Sequence, residues 1–64
     1  MTYLFRNKAQ THRFWEEMHS RAIRCKIDSD ITASVTHYDY YDNDYRQAVE
    51  IVVDSIYNEI VNDL

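Results

Sequence analysis

The stretch "ITASVTHYDY", residues 31–40, breaks the helical patterns on either side of it, because Ile31, Ala33 and Val35 alternate with Thr32, Ser34 and Thr36. Successive side chains of an extended chain point to opposite faces, so this alternation among β-branched residues predicts a strand. We expect it over residues 31–40. It leaves the core near Val35, since beyond that point Tyr38 and Tyr40 lie on the polar side while His37 and Asp39 continue the apolar one.

The segment that follows, "NDYRQAVEIVVDSIYNEIVNDL", has helical period. Tyr45, Ala48, Val49, Val52, Ile56, Ile60 and Val61 form a broad apolar face, extended by Ile51, Val53, Tyr57 and Leu64. A helix is expected over 44–62, capped by Asn43 or Asp44. It carries more apolar surface than one short helix covers, which predicts self-association as a homodimer.

Upstream, Leu4, Thr11, Trp15, Met18, Ala22 and Cys25 recur at helical spacing, with Phe14 widening the stripe. This predicts an amphipathic helix over 8–25, with Asn7 or Thr11 as its cap. The short run "TYLF" before it carries no usable period and is read as an extended entry. The order is therefore (β)αβα. We expect an α+β fold, a single domain over residues 1–64 with both helices on one face of a short sheet. One strand is not a sheet, so the N-terminal segment or a second copy of the chain must complete it, the second by dimerisation.

Composition removes several function classes. The 64 residues include no glycine and no proline. Phosphate-cradling loops, dinucleotide fingerprints and nucleophile elbows all need glycine for close backbone approach or positive φ. Turns must instead use Asn, Asp and Ser, and the candidates are Asp28 to Asp30 and Asp42 to Asp44. The lone Cys25 cannot form an internal disulfide and fits a reducing cytoplasm. Arg6 interrupts the N-terminal apolar run far short of a signal-peptide core, and no stretch approaches the ~20 apolar residues of a membrane span.

Charge is strongly divided along the chain. Residues 1–26 hold six basic groups against two acids, a net of +4, whereas residues 27–64 hold Arg46 against nine acids, a net of -8. The basic half raises nucleic-acid contact through the first helix as an alternative function, that of a small dimeric regulator. Arg13, Arg21 and Arg24 do not share one face, however, and Glu16 and Glu17 interrupt their field.

Catalytic and metal patterns are sparse. His12, Glu16 and His19 fall on one helical stripe at metal-ligand spacing, yet such spacing also arises on an ordinary solvated helix face. His37 beside Asp39 has the makings of an oriented base, and Cys25 those of a nucleophile, but the first lacks pocket chemistry and the second sits on the apolar stripe. We expect no metal, no cofactor and no enzyme activity.

The densest chemical feature is the run Tyr38, Asp39, Tyr40, Tyr41, Asp42 and Asp44. Tyrosines supply rigid contact area with a polar handle, and the aspartates supply a negative field that complements a basic partner. These six residues are the expected partner-binding site. In size, acidity and tyrosine content the chain resembles the small acidic proteins with which bacteriophages disable host enzymes, several of them DNA mimics. That resemblance implies a non-enzymatic inhibitor or modulator of a basic, nucleic-acid-binding protein.

Overall fold

The computed structural model describes residues 1–36 and 43–63. The elements are β1 (Thr2–Leu4), α1 (Lys8–Ser20), β2 (Cys25–Ser29), β3 (Thr32–Val35) and α2 (Asn43–Val61). The sheet is antiparallel in the order β1-β3-β2, and both helices pack on one face of it, so the α+β expectation holds. The sheet is complete within one chain. β1 pairs Tyr3 with Ala33 on one side of β3, and β2 pairs Ile27 with Ala33 on the other.

The second strand is the main departure from the sequence reading. The helix expected to reach residue 25 stops at Ser20, and the cause is local. Ala22 adopts the left-handed conformation at φ 59°, its N–H donates to the His19 carbonyl at 3.1 Å, and the Ile23 N–H donates to the Met18 carbonyl at 2.9 Å. This is a Schellman stop, in which the residue after the cap satisfies the last free carbonyls of the helix. Met18 and Ile23, which the motif brings together, are both buried. The chain released at Ile23 runs straight into β2, where Cys25 and Ile27 alternate with Lys26 and Asp28.

At the other end of α1 the expected Asn7 cap is in place, its side chain accepting from the Gln10 N–H at 2.9 Å. Thr11 is not a cap but a buried tie. Its hydroxyl donates to the Asp30 carbonyl at 2.8 Å, with the Asn7 carbonyl at 3.1 Å, so the β2–β3 turn is fastened to the first turn of the helix. That turn lies at Asp30 and Ile31, one residue beyond the centre of the expected Asp28–Asp30 run, and a bulge at Asp28 precedes it. Ser29 and Thr32 close it through their hydroxyls at 2.5 Å.

The expected strand over 31–40 is realised as Thr32–Val35, and its residues 37–40 lie outside the described residues. Ala33 and Val35 are buried as the alternation requires, while Ile31 is exposed in the turn. The core sits between this sheet face and the helices. Tyr3 and Phe5 meet Phe14 with ring centroids 5.3 and 5.0 Å apart, and Tyr57 of α2 closes the group at 4.9 Å from Tyr3. Tyr57 also donates to the Leu4 carbonyl at 2.7 Å, which covers part of the free edge of β1.

α2 runs one residue off the expected bounds at each end, and Asn43 is its first residue, so neither Asn43 nor Asp44 is its cap. Its buried stripe is Val49, Val53, Ile56 and Ile60. The expected face was wider and centred differently: Tyr45, Ala48 and Val52 are exposed, and so is Ile51. In the first helix Trp15 is only half-buried, and Ala22 is exposed beyond the end of α1.

Candidate protein-binding surface

Of the six residues expected to bind a partner, Tyr38, Asp39, Tyr40, Tyr41 and Asp42 lie outside the described residues, as does His37. Asp44 is placed. It is exposed in the first turn of α2, where a carboxylate favours the positive end of the helix dipole.

α2 presents the larger feature. With Val49, Val53, Ile56 and Ile60 turned to the core, its outward side carries Asp44, Glu50, Asp54 and Glu59. The single base on this helix, Arg46, lies 3.6 Å from Glu50 and is neutralised by it. Asp54 is fixed at the edge of the sheet, where Oδ1 accepts from the Tyr3 hydroxyl at 2.9 Å. Burial, reinforced by the Asp54 carboxylate, pushes the Tyr3 phenol well above its ordinary value.

Beside the acids runs an exposed apolar strip. Tyr45 is 57% exposed and Val52 42%, and with Ala48 they line one wall of an open groove of about 250 Å³. Ile23 and Arg21, at the end of α1, make the other wall. Ile51, at 70% exposure, lies on the solvent side of the same strip. A helical wheel shows why: the apolar residues of α2 span more than the arc one sheet face and one neighbouring helix can cover, and the surplus falls beside α1. The sequence signalled the surplus but not which residues would form it.

The basic groups of α1 are dispersed. Arg13 reaches across to Asp63 at 2.7 Å, and Arg21 pairs with Glu17 at 2.6 Å on its own helix. Gln10 donates to the Ile60 carbonyl at 3.0 Å, so the start of α1 lies against the end of α2 and the helices run antiparallel. His12 and Glu16 are exposed, and the His19 ring stacks on Trp15 with centroids 3.9 Å apart. Among the described residues no three His, Cys, Asp or Glu side chains gather where they could hold a metal ion.

Cys25 is in β2 and not on a helical stripe. It is half-buried, and burial together with the Asp28 carboxylate pushes its thiol up to about 11, away from the thiolate a nucleophile needs. No helix of the described residues is long and apolar enough to cross a membrane. Comparison with protein-family models, with curated proteins and with solved structures finds no match to this chain.

Proposed function

We propose that the chain works by binding another protein, as a non-enzymatic inhibitor or modulator of a basic, nucleic-acid-binding partner. The observation that carries this reading is the outward face of α2, which holds Asp44, Glu50, Asp54 and Glu59 against one base already paired. Acids spaced along a rigid helix present a negative field without losing side-chain freedom to a loop, and such a field steers and orients a basic partner. The sequence run Tyr38, Asp39, Tyr40, Tyr41 and Asp42 leads directly into this helix and extends the same charge and aromatic character. A DNA-mimic role, with carboxylates taking the place of phosphates, is the form of inhibition this chemistry suits.

The titratable groups with displaced values support binding over catalysis. Tyr3 and Cys25 are both shifted toward their neutral, less reactive forms. The site of action we propose is the cytoplasm, where a lone thiol stays reduced. Direct nucleic-acid contact through α1 has less support, because Arg13 and Arg21 are each engaged by a carboxylate of this chain. Pairing with a second copy would draw on the exposed apolar strip of α2, and light scattering measures it.

The experiment is a pull-down of the partner from host lysate, repeated with Asp39, Asp42 and Asp44 changed to Asn, alongside a gel-shift series with DNA and RNA. Loss of the captured protein in the triple variant is expected. Salt-sensitive binding of nucleic acid by the free chain would overturn the reading in favour of the dimeric regulator.

A further inference from the structure

We propose that the groove between the end of α1 and the first half of α2 docks a basic amphipathic helix of the partner protein; this rests on the reading of the chain as a binder of basic proteins. The α2 wall supplies Tyr45, Ala48 and Val52, spaced i, i+3 and i+7 along one helical stripe. That is the spacing by which one helix offers anchors to another laid against it. Ala48 lies between the two larger side chains, and its small volume lets a second backbone approach. Ile23 gives the groove an apolar floor on the α1 side.

Charge decides the occupant. Glu59 continues the Tyr45 and Val52 stripe seven residues further on, and Asp44 stands at its start. A second copy packed antiparallel about Val52 would set Asp44 of each copy beside Glu59 of the other. A parallel copy would set Asp44 beside Asp44 and Glu59 beside Glu59. Both arrangements bring like charges together at the ends of a short apolar contact, which costs affinity. A helix with an apolar stripe flanked by Lys or Arg meets the same carboxylates with opposite charge.

The test uses the full chain and a fluorescently labelled synthetic helix that carries Leu at i, i+3 and i+7 and Lys elsewhere on its exposed positions. One control peptide has the same composition scrambled, and another has Glu for Lys. By anisotropy the amphipathic basic peptide should bind at least ~10-fold more tightly than either control, and Val52→Asp should weaken it by about 10-fold. The pair Asp44→Asn and Glu59→Gln should flatten its salt dependence. Should Val52→Asp disturb the fold by circular dichroism, Ala48→Gln serves in its place. Equal binding of the scrambled peptide would overturn the groove while leaving an acidic binding protein, and failure of every basic peptide would overturn both. A dimer in light scattering that Val52→Asp dissociates would assign the groove to a second copy.

Discussion

The hydroxyl of Tyr3 donates to Asp54 Oδ1 at 2.9 Å, a bond that ties the first strand to the second helix across 51 residues of sequence. The ring beneath it packs on Phe14 and Tyr57, so this one side chain serves both the core and the acidic surface. Tyr3→Phe keeps the packing and removes the bond, which should cost about 1 kcal/mol in a denaturant titration near neutral pH. The pH dependence follows from the raised phenol. In the folded chain it holds its proton above the ordinary value of 10.0, so this stability is fully present below pH 10 and is lost as pH rises beyond it. The Phe variant should lose that part of the alkaline slope.

Cys25 acts on a lower window. Its thiol titrates near 11 in the folded chain against an ordinary value of 9.0, so folding stability should decline between those two values and not below them. Cys25→Ala should remove this segment of the slope in thermal melts taken from pH 8 to pH 11. Alkylation by iodoacetamide at pH 8 should be slow in the native protein and fast in denaturant. A native rate matching the denatured one would show the thiol to be unshifted.

Ala22 is the sole residue with positive φ among those described, at 59°. An L-residue there carries roughly 1–2 kcal/mol of strain that glycine avoids, partly offset by the greater freedom glycine loses on folding. Ala22→Gly should therefore stabilise the protein by about 0.5–1 kcal/mol. The gain is read as a higher denaturant midpoint with an unchanged slope. A loss of stability would mean that the left-handed stop is not held in solution.

The same residue explains what was and was not legible in the sequence. α2, the start of α1 and the strand through Ala33 and Val35 follow from periodicity because burial on one side enforces it. β2 was hidden, although Ile23, Cys25 and Ile27 alternate with Arg24, Lys26 and Asp28 in plain period two. Ala22 and Cys25 also fit the helical stripe, and the usual stop signal, a glycine, is replaced by an alanine that gives no warning. The acidic character of the candidate surface was readable from composition. The apolar groove beside it was not, because which part of a wide apolar face is left over depends on where the neighbouring helix ends, and that end is set by the alanine stop.

Val52 and Val53 put the orientation of α2 to a direct test, since they are adjacent in sequence and opposite in environment. Val53 is 0% exposed and lies in the core, whereas Val52 is 42% exposed on the groove wall. Val53→Asp places a carboxylate among apolar side chains with no partner, which should cost about 4 kcal/mol or more. For a small domain with stability of about 5 kcal/mol that leaves little folded protein. Val52→Asp keeps its charge in water and should change stability by no more than ~0.5 kcal/mol. Circular dichroism melts of the two variants separate these outcomes. Equal destabilisation would mean that α2 is rotated from the orientation described, with Val52 in the core and the exposed strip elsewhere on the helix.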